Sequence, residues 1–374
     1  MISIEEVRNK KDLKKFVDFP YELYRNYPAW VPPIRKERLE FLSEKNPFFR
    51  HGKAQYFLAL DNGEVVGRIS AHLNYLHNER YRDKTGFFGF FESSDDGRVA
   101  ASLFDAASAW LKREGMEVAR GPFNFSINDD CGILLEGFDT PPFILMTHNP
   151  WYYQGLFDKC GFYKAKDLYA WKYDSRRPVP EMALAIAESV KSHNGLVIRE
   201  VNMRELERDL RILLDIFNEA WANNWGFIPL TEEEVAHSAK ELKMILNPKL
   251  ALIAEVDGEP AAISLAMPNI HESIRDLNGR LFPFGIFKLL FRMKFAPPKS
   301  ARLIMLGVRR KFRSSTLGGL SVLLYSEMHK RSRELGHWGG ELSWTLEDND
   351  KINRGIELMG GVVYKRYRIY ERNI

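Results

Sequence analysis

Apolar positions along this chain alternate between the two-residue period of strands and the three-to-four-residue period of helices, and they do so twice. Ile2-Ser-Ile-Glu-Glu-Val7 alternates as a strand does, and the spacing turns helical from about Lys10 to Arg25. Tyr56 to Asp61 and Glu64 to Ile69 are apolar runs joined by Asn62-Gly63, a dipeptide suited to a tight hairpin. Gly86-Phe-Phe-Gly-Phe-Phe91 predicts a buried strand. Val99, Leu103, Ala106 and Trp110 then mark one face of a helix over Arg98 to Arg113. The order returns later: a strand at Leu196 to Val201, a helical stretch to Asn223, and two apolar runs about Asp257-Gly258. Arg302-Leu-Ile-Met-Leu-Gly-Val308 follows, continuously apolar after its first residue as a fully buried strand is. Leu317, Leu320, Leu324 and Met328 predict a helix that stops at Gly336, and Glu341 to Glu347 alternates as a strand.

The correspondence extends to single residues. Ile4 maps to Ile198, Glu6 to Glu200, Trp30 to Phe227 and Pro32 to Pro229, at an offset of about 194 to 197 residues. Phe157-Asp-Lys-Cys-Gly-Phe-Tyr-Lys164 parallels Glu357-Leu-Met-Gly-Gly-Val-Val-Tyr-Lys365, each a glycine-ended helix leading into a tyrosine-bearing strand. Ordered matches of this kind predict two copies of one α/β fold, each a mostly antiparallel mixed sheet flanked by helices. The expected domains are residues 1–178 and 179–374, with a helix from about Pro180 to Ser192 bridging them.

The candidate chemistry lies where the second copy turns from strand to helix. Arg309-Arg-Lys-Phe-Arg-Ser-Ser-Thr-Leu-Gly-Gly319 is rich in cations, hydroxyls and glycine. A helix N-terminus has unpartnered amides and partial positive charge, so this loop fits a phosphate or pyrophosphate. The same residues also fit an ordinary connection with solvated charge. Neither G-x-x-x-x-G-K-[ST] nor G-x-G-x-x-G occurs, which leaves P-loop and dinucleotide binding without support. Read from Val308 through Arg313 to Gly318, the loop resembles the pyrophosphate loop of the GNAT acyltransferase superfamily. Arg313 and Gly318 match, while Arg310 and Thr316 replace a proline and a glycine of that pattern.

This resemblance implies that acetyl-CoA or another acyl-CoA is held by Leu306, Val308, Arg313, Ser314, Ser315, Thr316, Leu317, Gly318 and Gly319. It also implies a contact from Asn349 or Asn353, which equally fit helix capping. Ile356 stands where the family carries a tyrosine acid, and Tyr364, Tyr367 and Tyr370 lie beyond it on a strand. Glu347, at the strand end, is the candidate catalytic base. The implied reaction is transfer of an acyl group, most simply acetyl, to a small-molecule or peptide amine. A non-catalytic acyl-CoA-binding protein is the alternative, since Arg310, Thr316 and Ile356 depart from the pattern.

In the first copy the equivalent helix is approached by Glu92, Asp95 and Asp96, which would cap the helix and repel a pyrophosphate. That copy is expected to lack the ligand loop. Its Gly121 to Cys131 stretch, with Asn124, Asn128, Asp129 and Asp130, fits either acceptor recognition or, preferably, turns in a long loop. Leu277 to Lys299 is an insert of apolar residues and cations. It could line a pocket or lie on a membrane surface, but the preferred reading is a packed helix closing the groove between the domains.

Composition narrows the partners. Lys and Arg total 54 against 50 Asp and Glu, a formal +4, so no nucleic-acid partner is expected. That balance also disfavours a Fem-type tRNA-dependent aminoacyltransferase, another tandem GNAT fold. Cys131 and Cys160 are the only cysteines, and His51, His72, His77 and His148 are scattered. Neither a disulfide framework nor a zinc-type ligand spacing is expected. No uncharged apolar run reaches the roughly 18 to 20 residues of a membrane span, and a cytoplasmic location is expected.

Overall fold

The computed structural model describes residues 1–242, 245–313 and 317–374. In chain order the first copy comprises β1 (Ser3–Glu6), α1 (Lys10–Leu23), α2 (Arg35–Phe41), β2 (Gly52–Asp61), β3 (Glu64–Asn74), α3 (Tyr75–Tyr81), β4 (Thr85–Ser93), α4 (Gly97–Arg113), β5 (Val118–Gly121), β6 (Ile133–Glu136), α5 (Tyr153–Lys159) and β7 (Tyr163–Asp174). The second follows as α6 (Glu181–Lys191), β8 (Leu196–Glu200), α7 (Leu206–Trp221), α8 (Glu232–Leu242), β9 (Ala251–Val256), β10 (Glu259–Pro268), α9 (His271–Ile274), α10 (Gly285–Phe295), β11 (Ser300–Val308), α11 (Leu320–Glu334), β12 (Gly339–Leu346), α12 (Asp350–Leu358) and β13 (Val362–Asn373).

The chain forms two compact units that are not consecutive halves. Unit 1 takes Met1–Leu168, Ile274–Arg292 and Lys365–Ile374, and unit 2 takes Tyr169–Ser273 and Met293–Tyr364. In unit 1 the sheet runs β1-β2-β3-β4-β5-β13, with β6 also on β13; in unit 2 it runs β8-β9-β10-β11-β12. Most neighbours are antiparallel, but β4 pairs with β5, and β11 with β12, in parallel.

Local chemistry explains the shared parts. Both hairpins turn on residues with positive φ, Asn62 and Gly63 between β2 and β3, Asp257 and Gly258 between β9 and β10. That is the demand of a type I′ turn. The α4 helix is capped by Asp96, whose carboxylate accepts from the Arg98 amide at 2.8 Å, and it buries Val99, Leu103, Phe104 and Trp110. The α11 helix buries Leu320, Leu324 and Met328 and ends at Gly336, where φ is +76°. It begins at Leu320 rather than Leu317, which is buried within the preceding turn. In unit 2, Ala183, Ala187 and Val190 of α6 share one core with α11. The insert departs from the packed helix expected of it, because no residue of α10 is buried. Among the described residues no helix is long and apolar enough to cross a membrane.

Candidate functional site

In unit 2 the two parallel strands separate. β11 pairs with β12 only over Ser300–Arg302 against Gly339–Glu341, then continues to Val308 along β10. The start is tight: a Cβ on Gly340 would lie 1.7 Å from the Ala301 carbonyl oxygen. Farther along, β11 carries a bulge, since Met305 pairs with Leu265 and Leu303 with Ala266, leaving Ile304 as the extra residue. A bulge bends a strand away from its neighbour and leaves backbone groups unpaired. Leu306 and Val308 lie on this diverging segment, half-buried against the α11 core.

The loop after Val308 is held from a distance in sequence. Glu219 on α7 takes the Arg309 guanidinium at 2.7 Å and accepts from the Arg310 amide at 2.8 Å. Burial acts against its charge, but these two donors keep its carboxyl below the usual range. Lys311 is paired with Glu259. Arg313 donates to the carbonyl oxygens of Val308 at 2.8 Å and Ala220 at 3.1 Å, and Arg310 donates to the Asn223 side chain at 3.3 Å. These acceptors are neutral, so Arg310 and Arg313 leave positive charge at the loop. Burial, then the charge of Arg310, pushes the Arg313 guanidinium down from its ordinary range.

Ser314, Ser315 and Thr316 lie outside the described residues. Leu317 is buried and Gly318 is exposed at the entrance of α11, whose N-cap position, Gly319, supplies no side-chain cap. Gly319 has a packing reason of its own. A Cβ there would lie 2.4 Å from Cγ2 of Ile186 and 3.1 Å from that of Val190, so α11 approaches α6 only because this residue is glycine.

Across from β11, Glu347 follows β12 and is half-buried. Asn349 occupies the N-cap position of α12 but makes no side-chain cap bond. Asn353 is engaged within the chain: it accepts from the Thr345 hydroxyl at 2.6 Å and donates to the Leu346 carbonyl at 3.1 Å, tying α12 to the strand end. Ile356 is buried beside it.

The sequence reading missed a polar cluster at the point where the strands part. Arg302 and Glu341, paired across β11 and β12, are fully buried in an ion pair of 2.7 Å. The Tyr364 hydroxyl donates to the other Glu341 oxygen at 2.5 Å. Two residues on, Ser343 has φ of +50° and lies 3.3 Å from the Arg302 guanidinium. The available signal was an arginine opening an otherwise apolar strand, which requires a buried partner.

In unit 1 the same geometry is closed by the chain itself. β4 pairs with β5 over Thr85–Phe87 against Val118–Arg120, and Phe90, at φ +48°, sits at the irregularity beyond. There the Phe123 amide donates to the Phe88 carbonyl at 2.8 Å, and Asn124 Oδ1 accepts from the Phe90 amide at 2.8 Å. Gly89 is needed because a Cβ would stand 1.7 Å from the Phe123 oxygen. The polar Gly121–Cys131 stretch is thus a plug along β4. Glu92 does not face the helix entry. It is half-buried and accepts from the Tyr24 and Tyr153 hydroxyls at 2.6 and 2.7 Å.

Two copies of a hairpin, a bulged strand, a helix and a splayed parallel strand define a tandem GNAT-like fold. A tandem GNAT protein from the clavulanic acid biosynthesis pathway shares this fold, with a TM-score of 0.59 and 12% identity, over all of this chain and 98% of its own. The chain belongs to the family that includes protein YghO of Escherichia coli (strain K12) and the bacterial ceramide synthase of Caulobacter vibrioides (strain NA1000 / CB15N). It is 41% identical to YghO over 370 residues, covering 98% of this chain and 94% of that protein. It is 40% identical to the ceramide synthase over 378 residues, covering 99% and 97%. No family model matches the chain.

Proposed function

We propose that this protein is an acyl-CoA-dependent N-acyltransferase that joins a fatty acyl group to a long-chain amine. The observation that carries the reaction class is the separation of β11 from β12 above the Arg302–Glu341 pair, leading into the cationic loop and the uncapped α11. That arrangement offers backbone donors along an unpaired strand edge and positive charge where a pyrophosphate would rest. In unit 1 Phe123 and Asn124 occupy the corresponding β4 backbone groups. The acceptor class rests on full-length similarity to a protein named bacterial ceramide synthase, a ceramide being the amide of a fatty acid and a long-chain amino alcohol.

In this reading Arg313, Gly318 and the amides of the loop hold the pyrophosphate, and Asn349 reaches the donor from the α12 side. The thioester lies along β11 beside Leu306. The amine nitrogen attacks the thioester carbonyl, the C–N bond forms and the C–S bond breaks. Glu347 takes the proton that the amine loses and returns it to solvent, and the thiolate leaves as CoA–S⁻ and takes a proton from solvent water. Much of the acceleration comes from holding amine and thioester together, which accommodates Ile356 in place of an acid.

The test is purified protein with sphinganine and palmitoyl-CoA, compared with acetyl-CoA and with a short water-soluble amine. Free thiol release and amide formation by mass spectrometry are the readouts. The long-chain pair should react fastest, and Glu347→Gln should slow it by about a hundredfold or more. Turnover of acetyl-CoA with the short amine alone would replace the acceptor class. Tight CoA binding without thiol release from any pair would make the protein an acyl-CoA-binding protein instead.

A further inference from the structure

The segment around α10 wears its hydrophobic side outward. Phe282, Phe284, Phe287, Leu290, Phe291 and Phe295 are 60 to 78% exposed. From Phe284 on they follow three- and four-residue spacings, so they share one face of the helix. Ile286, Leu289 and Met293, on the other side, are only partly covered. Gly285 allows the helix to start against its own lead-in, since a Cβ there would meet the Arg280 carbonyl oxygen at 2.3 Å. Phe282 and Phe284 lie on the turn that leads into the helix.

Charge decides what such a face meets. Between Leu277 and Lys299 there are five cations, Arg280, Lys288, Arg292, Lys294 and Lys299, and no carboxylate. Lys288 and Arg292 both bond to Asp276, at the flank of the segment. Lys294 lies within the outward stripe, its Nζ 5.2 Å from the centre of the Phe295 ring. We propose that this segment is a docking surface for an anionic lipid bilayer. The phenyl rings and Leu290 enter the region between headgroups and acyl chains, and Lys294 extends to lipid phosphates along its alkyl stem.

A second copy of the chain is the weaker occupant. A two-fold contact would bring the stretch's cations against their own copies, with Asp276 already shared by Lys288 and Arg292 and no further acid between Leu277 and Lys299. Eleven residues are too few to span a bilayer, for which about 20 are needed, so the helix lies in the plane of the surface. Docking there would present the protein to substrates that live in a membrane. The surface itself does not depend on the acceptor being a long-chain amine.

Flotation of the full-length protein with vesicles tests this, using phosphatidylcholine with and without phosphatidylglycerol. Wild type should float with the anionic vesicles and much less with the neutral ones. Phe287→Ser combined with Phe291→Ser should cut the bound fraction at least tenfold while circular dichroism stays unchanged, because both side chains are already exposed. Lys294→Glu should weaken binding to anionic vesicles more than to neutral ones. Wild type that fails to float, or a double serine variant that floats as well as wild type, overturns the proposal. So does a concentration-dependent dimer that the serine variant abolishes in the absence of vesicle binding. Each outcome is independent of whether sphinganine is acylated.

Discussion

His72, His77 and His148 show how single buried groups make unit 1 sensitive to acid. Burial lowers the His72 imidazole to about 3. His77 falls to about 4, where burial outweighs the opposing charge of Asp83, and His148 to about 4, where Lys365 adds to burial. Their unfolded values lie near 6.5. Between about 6.5 and 4 the unfolded chain therefore binds protons that the folded chain refuses. Stability is fully present above pH 6.5 and is lost as the pH falls, by up to about 1.4 kcal/mol per pH unit for each such proton. Urea unfolding at pH 7, 6 and 5, followed through unit 1, should show this slope. His72→Asn should flatten it even if it lowers stability at pH 7. The Arg302–Glu341 pair gives a second prediction at this scale. Glu341→Gln strands a buried guanidinium and should cost about 3 to 5 kcal/mol. Arg302→Met combined with Glu341→Leu should recover much of that loss in denaturant titrations, and a double variant no better than the single would show that the site needs charge.

At the scale of elements, substitutions at the neighbouring glycines at the start of α11 are expected to separate the proposed binding from packing. Gly318 is exposed, so Gly318→Asp should leave the fold intact and abolish CoA binding by placing a carboxylate where the pyrophosphate is expected. Gly319→Ala should instead lower the melting temperature, because its Cβ would strike Ile186. Arg313→Ala should weaken CoA by about 1–3 kcal/mol, the worth of a charge-assisted hydrogen bond. Calorimetric titration beside thermal melts distinguishes the three, and Gly318→Asp that binds CoA normally would sink the loop assignment. Much at this scale was legible in sequence: Asn62-Gly63 and Asp257-Gly258 do turn hairpins, and Gly336 does end α11. These features depend on adjacent residues only. The loop could not show that Gly319 is needed for the approach to Ile186, more than a hundred positions away. Nor could the loop reveal that Glu219 and Glu259 hold two of its cations. The α10 pattern failed for another reason, since helical periodicity identifies an apolar face without showing whether it points in or out.

Over the whole molecule, the repeat was visible in sequence, while the exchange of strand segments between the units was not. Matched residues reveal two copies, but nothing local tells a strand which sheet its far end will join. The expected division at residue 178 would leave Trp171 and Tyr173, part of the α6–α11 core, on the other side of the cut. The C-terminus carries the complementary dependence. Tyr367, Ile369 and Tyr370 are at most 1% exposed, and all three lie in the segment that belongs to unit 1. Arg368 grips Asp167 at 2.7 Å, and Arg372 donates to the Cys160 carbonyl at 2.8 Å. Burying three such side chains contributes roughly 5 kcal/mol or more, against a total of about 5–15 kcal/mol for an ordinary domain. Truncation after Tyr364 should therefore unfold unit 1, although the deleted residues lie some two hundred positions beyond its main stretch. Limited proteolysis should then cut readily within residues 1–168, and the near-ultraviolet circular dichroism of the buried tyrosines there should collapse. A truncated chain as resistant to protease as the full-length protein would mean that unit 1 completes its sheet without the C-terminal strand.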